Sequence, residues 1–315
     1  MPDLDDLFPQ AVSEATDEEL VGELQRRGYL AHKPAPAVKP VEHDISRLKG
    51  DRIRLGVISD THFGSKFQQP TYLVEHLRYM AKRKVEAVIV AGDITDGATK
   101  MHPGFEYELF ALGADAQVAV AAEVLVPEAQ RMKVPWYLIG GNHDYSHWKN
   151  GGVDVVGMLA RESEWFHYLA PRGDFGPGDT PNFLVPGVAN SRGSIGHVQF
   201  GHLLVQVNHP HMGSAYALSY RPQKWIEQLS PENKPNLVLM GNFHKVLQLD
   251  YRNVFALLLP SFQAQSGWMA SKGISSYIGS AILEVGIEPK GLAPSVQVEW
   301  LIERVPREND WPGGS

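Results

Sequence analysis

A chain of 315 residues, 43% hydrophobic and 21% charged, is long enough for a sizeable core, as one large domain or one domain with an appendage. It has no cysteine, which excludes disulfides, thiolate metal sites and cysteine nucleophiles and leaves His, Asp, Glu, Asn or water to hold any metal, a set suited to hard or imidazole-friendly ions. The formal charge of −7 is distributed as six Lys+Arg against ten Asp+Glu in residues 1–50 and 23 against 26 in the rest, which argues against a broad basic face for long nucleic acid.

The N-terminal MPDLDDLFPQ is acidic and lacks an apolar signal core, and no apolar run reaches membrane-spanning length, so a cytoplasmic location is expected. Thr16 as N-cap with Glu19 three positions on, Arg26 and Arg27 in the last turn and Gly28 as the stop predict a short helix over 16–27. The following AHKPAPAVKP reads as an extended linker. Residues 1–50 are therefore expected to form a helix-and-linker segment, either a loose tail or a docking segment through which residues 16–27 take a protein partner.

From Ile53 the pattern changes. The runs IRLGVIS, VEAVIVAG, PWYLIGG, HLLVQVN and NLVLMG are short, rich in Val, Ile and Leu, and end in Gly, Asp, Asn or His. Helical patterns such as PTYLVEHLRYMAKRK and ALGADAQVAVAAEVLVPEAQRM lie between several of them, predicting an α/β domain with strands buried on both faces. The Gly/Pro-rich 171–197 reads as a loop insertion or a small edge hairpin. The runs NVFALLLP, SAILEVG and VQVEWLIERV lack intervening helices and suggest an antiparallel portion. Residues 51–305 are taken as the main domain and PRENDWPGGS, 306–315, as a disordered tail.

The strand ends carry polar side chains of one chemical type: Asp60 and His62 after the first, Asp93 after the second, Asn142, His143 and Asp144 after the third, His209 after the fourth, Asn242 and His244 after the fifth. Singly, each is more often a cap, a turn former or a satisfied histidine than a ligand. Together and in order they point to a metal centre, with Asp60 and His62 two apart on one side of an extended strand end. A carboxylate at Asp93 can bridge two cations roughly 3.5–4 Å apart.

The blocks Asp60-x-His62, Gly92-Asp93, Gly141-Asn142-His143-Asp144, His209 and Gly241-x-x-His244 resemble, over about residues 53–285, the calcineurin-like metallophosphoesterase superfamily. SDTHFGS and YRNVFALLLPSFQAQSGWMASKG are further similar to a phage and bacterial branch described as DNA-repair-exonuclease-like. The resemblance implies a four-layer α-β-β-α sandwich with two mixed sheets flanked by helices. It also implies two divalent metal ions (Mn, Fe, Zn or Ni, with Mn favoured): Asp60, His62 and His244 on the first, Asp93 bridging, and Asn142 and His209 with residue 242 on the second. His143 would act at the leaving oxygen without binding metal, oriented by Asp144, while a bridging hydroxide attacks phosphorus in line. Asn242 stands where the family has histidine, a poorer donor that implies a weakened second site. His211 is a substitute ligand or, beside Pro210, a surface residue.

The expected activity is a phosphodiesterase acting on cyclic nucleotides or nucleic-acid ends. The alternatives are a DNA exonuclease or phosphomonoesterase, or a catalytically impaired metal-binding module that recruits a partner. Arg221 and Lys224 read as a solvated helix face rather than phosphate contacts, and Lys245 likewise as a solvated residue rather than one at the site rim. Tyr145, His147 and Trp148 read equally as loop packing or as a base-stacking wall, and Trp268 and Met269 as core or lid. No phosphate-cradling Gly-rich loop, Gly-x-Ser-x-Gly or His-Glu-x-x-His is present, so triphosphatase, serine hydrolase and zincin readings have no support.

Overall fold

The computed structural model describes residues 40–314 apart from 47, 49, 99–100, 170–193, 214, 230–233 and 288–294, together with Glu23 and Arg26. The chain divides into two compact units, residues 1–38 with 229–234 and residues 39–228 with 235–315. In the first, Glu23 and Arg26 are helical and paired one turn apart, Arg26 Nη2 lying 2.5 Å from Glu23 Oε2. The rest of the helix expected over 16–27, and its linker, lie outside the described residues.

The second unit holds two six-stranded mixed sheets. One runs β1 (Val41–His43), β6 (Ile195–Phe200), β7 (Leu203–Asn208), β8 (Leu237–Met240), β10 (Val254–Leu258) and β9 (Leu247–Tyr251). The other runs β12 (Val296–Glu303), β11 (Ile278–Gly286), β2 (Arg52–Ile58), β3 (Ala87–Ala91), β4 (Trp136–Ile139) and β5 (Phe166–Tyr168). In the second sheet β2 to β5 are parallel and β11 and β12 add antiparallel strands; in the first, β7, β8 and β10 are parallel.

The period-2 geometry of strands explains the two cores. Ile53, Leu55 and Val57 of β2 and Ala87, Ile89 and Ala91 of β3 meet Val205, Val207, Leu237 and Leu239 between the sheets. Ile58, Val88 and Val90 face helices on the other side. Burial on both faces is why these strands are continuous apolar runs. The helices present matching stripes: Leu73, Leu77 and Met80 from α1 (Pro70–Lys82), Val118, Ala121, Leu125 and Ala129 from α2 (Ala114–Met132). Next come α3 (Asn142–Gly151) and α4 (Val155–Ala160), the latter adding Val155, Val156 and Leu159. On the first sheet, α5 (Tyr220–Glu227) buries Trp225 and Ile226, the indole donating to Gln206 Oε1 of β7 at 2.7 Å. A one-turn α6 (Gly267–Ser271) follows β10. The result is the expected α-β-β-α sandwich, and among the described residues no helix is long and apolar enough to cross a membrane.

Three boundaries differ from expectation. β1 lies before residue 51, pairing Val41 with Val198 in parallel register; three residues are too short to show a period in sequence. The fourth apolar run is the second arm of a β6–β7 hairpin that turns at Gly201, whereas most of the segment read as a loop or hairpin, 170–193, lies outside the described residues. The expected disordered tail is instead a strap. Asp310 accepts from Thr71 N at 3.0 Å and Thr71 Oγ1 at 2.5 Å, serving the open start of α1, and Trp311 stacks on Phe110 with centroids 5.5 Å apart. Polar, Gly- and Pro-rich composition hides such a segment, because its partners are supplied by distant elements.

Candidate metal centre

The carboxyl ends of β2, β3, β4, β7 and β8 converge, and the loops leaving them carry the polar residues read from sequence. The loops after β2 and β3 are stapled in parallel, with Asp60 N donating to Gly92 O at 2.9 Å and His62 N to Asp93 O at 3.0 Å. Asp60, His62, Asp93, Asn242 and His244 all adopt positive φ, between 47° and 75°. Left-handed backbone in non-glycine residues costs of order 1–3 kcal/mol each and persists where the surroundings over-determine it. Five such residues in one site mark it as the place where the fold accepts strain. At Gly141 a Cβ would collide with the Asp93 carboxylate, and at Gly92 (φ +86°) with the His209 ring and Gly140 O, so both positions need glycine.

The side chains form one buried cluster. His244 Nε2 lies 3.1 Å from Asp60 Oδ1, His209 Nε2 3.0 Å from Asp93 Oδ2, and His62 Nε2 3.9 Å from both carboxylates. Within three groups (Asp60, His62 and His244; Asp60, Asp93 and His209; His62, Asp93 and His143) the ligand atoms lie within 4.8 Å of one another. His62 Nε2 and His244 Nε2 face each other at 3.3 Å, an approach that needs a cation or proton between the lone pairs. His209 Nδ1 is held on Ala91 O at 2.7 Å, and its Nε2, though near Asp93, makes no hydrogen bond. Asn142 Oδ1 is likewise buried without a partner. Two carboxylates, three to four imidazoles and an unpaired amide oxygen are a fitting donor set for divalent metal.

Electrostatics agree. Burial alone would lower the His209 pKa, but the Asp93 and Asp60 carboxylates outweigh it and raise it to about 9. Burial would raise Asp60, yet His244 and His209 hold it below the usual carboxylate range; Asp93 is lowered in the same way against its burial, chiefly by His209 and His143. A proton on imidazole thus stands where a cation would neutralise the acids.

Asn242 stands at the cavity with its amide nitrogen, not its oxygen, engaged. Its Nδ2 donates to Met212 O at 2.7 Å, and its backbone N donates to both Asp60 oxygens at 3.1 Å. It spends its amide NH2 on the loop after β7, while the amide oxygen is the atom that could serve a metal. His211 also lines the cavity, its Nε2 2.8 Å from Ser194 Oγ.

Asp144 is a correction. Rather than orienting His143, its carboxylate accepts from Ile94 N (3.0 Å), Thr95 N and Oγ1 (both 2.8 Å) and Gly141 N (2.9 Å). It closes the first turn of α3 and ties that turn to the loop after β3. His143 is anchored by Nδ1 on Asp96 O at 2.5 Å, with Asp96 Oδ1 3.8 Å away. Asp96, missed in the sequence, is fully buried and accepts from His62 Nδ1 at 2.7 Å and Gln263 Nε2 at 3.0 Å. The available signal was the second acid of GDITDG, three residues beyond Asp93.

Tyr145, His147 and Trp148 are absent from the cavity wall, which carries Trp268 and Met269 instead. His147 is buried against Gln117 Oε1 at 3.2 Å. Neither Arg221 nor Lys224 faces the cavity: Lys224 pairs with Glu227 at 2.8 Å, and Lys245 donates to Ser275 O at 2.7 Å.

A model of the family described as calcineurin-like phosphoesterase matches residues 53–254. No curated protein matches the chain. Among solved structures, a novel archaeal phosphodiesterase is 12% identical, covers 79% of this chain and 100% of its own, and has a TM-score of 0.39. Wild-type Vps29 complexed with zinc from Entamoeba histolytica is 10% identical over 79% of this chain and 99% of its own, with a TM-score of 0.35. A putative 5'-nucleotidase from Staphylococcus aureus is 13% identical over 80% of this chain and 54% of its own, with a TM-score of 0.39.

Proposed function

The chain belongs to the calcineurin-like phosphoesterase family, and on that premise we propose that it is a metal-dependent phosphodiesterase whose second metal site is weakened at Asn242. The observation that carries this reading is the buried cluster of Asp60, His62, Asp93, His209 and His244, with ligand atoms mutually within 4.8 Å in its triads. Asp60, His62 and His244 would hold one ion, Asp93 would bridge, and His209 with Asn142 would hold the other; Mn is the favoured metal. Bound divalent ions supply Lewis acidity toward phosphoryl oxygens and lower the pKa of water.

The chain's own residues supply the rest. Asp96 holds the proton on His62 Nδ1 and leaves its Nε2 lone pair facing the acids, and Ala91 O does the same for His209. His143, held at Nδ1 by Asp96 O, keeps Nε2 for the substrate, where its protonated form stabilises or protonates the leaving oxygen. Asn242 spends its amide NH2 on Met212 O and has only its amide oxygen to offer a metal, a poorer donor than imidazole, so the second ion is held more weakly. The same observation favours the second reading, an impaired metal-holding module, for which residues 16–27 would be the partner-docking segment.

Hydrolysis of bis-p-nitrophenyl phosphate, p-nitrophenyl phosphate and labelled single- and double-stranded DNA with Mn tests the assignment. Turnover of the diester is expected. Activity confined to the monoester removes the diesterase assignment, preferential DNA-end degradation favours the exonuclease-like branch, and no turnover with metal bound favours the module.

A further inference from the structure

Beside the metal cluster the cavity, about 390 Å³, opens onto a wall of rings. His143 leads to Phe105 (centroids 6.1 Å apart), Phe105 to His102 (5.0 Å), and His102 lies flat against Trp268 at 4.7 Å and 10°. Trp268 lines the cavity and is 37% exposed even though it is stacked on His102, whereas Phe105 of the same wall is only 2% exposed. Met212 and Met269 add polarisable thioethers that adapt to a planar guest.

The charges on this wall are as informative. Among the described lining residues there is no lysine or arginine, and Glu108 stands beside the stacked pair, accepting from Trp268 N at 3.2 Å with its other oxygen 3.6 Å from His102 Nε2. The negative charge of Glu108 at this wall disfavours additional phosphates, and among the described lining residues a polymer backbone finds none of the Lys or Arg contacts that nucleic-acid binding uses. A lipid tail needs no flat ring surface, whereas a nucleobase is stabilised by one. The volume lies at the small-molecule end of the roughly 300–1,000 Å³ range.

We infer that the ring wall of Phe105, His102 and Trp268 is a subsite for the base of a mononucleotide ester bearing a single phosphoryl group, with the base stacked on the Trp268 indole. The inference rests on the phosphoesterase reading for the position of the phosphate, but the base subsite is testable by binding alone. In isothermal titration of the Mn-loaded full chain, thymidine 5'-monophosphate is expected to bind at least tenfold more tightly than methyl phosphate. Trp268→Ala should shrink that preference to threefold or less, with thermal melting to verify folding. Equal affinity of the two ligands in the unmodified protein overturns the subsite without recourse to any variant, as does a preference that survives in folded Trp268→Ala.

Parallel hydrolysis of thymidine 5'-(p-nitrophenyl phosphate) and methyl p-nitrophenyl phosphate, which share a leaving group, separates the two readings. Turnover of both without nucleoside preference sinks the subsite and leaves the phosphoesterase assignment standing. Base-dependent binding without turnover supports the subsite and sinks the assignment.

Discussion

Asp96 illustrates how a residue that touches no substrate can govern the site. Its carboxylate fixes which nitrogen of His62 carries the proton, so Asp96→Asn is expected to weaken Mn affinity roughly 10–100-fold, the usual effect of losing a ligand-orienting carboxylate. Titration calorimetry reads this directly, and unchanged affinity would remove Asp96 from that role. At position 242, Asn242→His should raise bound Mn from one tight equivalent toward two, because imidazole is a stronger donor than an amide oxygen; a stoichiometry that does not move would show that Asn242 is not what limits the second site. The residues of the candidate metal cluster were legible in sequence because each follows an apolar strand at its end. The role of Asp144 was not, since an acid beside Asn-His reads as that histidine's partner, whereas its spacing of three from Gly141 makes it the acid of a helix start. Asp96 escaped because it belongs to no strand end of its own.

At the scale of elements, the hairpin β6–β7 and helix α5 are joined by a polar relay. Gln206 Oε1 accepts from the Trp225 indole at 2.7 Å, so its Nε2 donates to His197 Nε2 at 2.9 Å and that nitrogen must stay unprotonated. Burial lowers the His197 pKa to about 4. The sign follows: between about pH 6.5 and pH 4 the unfolded chain takes up a proton that the folded one refuses, so stability is fully present above that window and lost as pH falls through it. The contribution is about 2–3 kcal/mol for this half-buried ring. Urea denaturation from pH 7 to pH 4 should show that loss, and His197→Leu should flatten it; an equally steep acid profile in the variant would contradict the relay. The central strands β2, β3, β4 and β8 were legible because burial on both faces makes them continuous apolar runs. The alternation IGHVQF of β6 was masked by the neighbouring Gly/Pro-rich stretch, and β1 is too short to carry a period.

At the scale of the whole molecule, the chain's two distant parts meet at the start of α1. Asp310 serves its open N–H of Thr71 and Trp311 covers Phe110. Truncation after Val305 should therefore destabilise by about 2–4 kcal/mol, the sum of a lost cap and a partly buried indole, read as a lower urea midpoint; an unchanged midpoint would return the segment to a passive tail. Chain topology also explains why strand ends from both sheets gather candidate metal donors at one edge, where Asp60, Asp93 and Asn142 from one sheet face His209 and His244 from the other. The most direct test of that convergence is a crystal structure soaked with Mn and phosphate, read by anomalous scattering. It should show Mn among Asp60, His62, Asp93 and His244, weaker density beside His209, and a phosphate oxygen toward His143. An anomalous map empty at these residues, with Mn bound elsewhere, would contradict the metal centre itself.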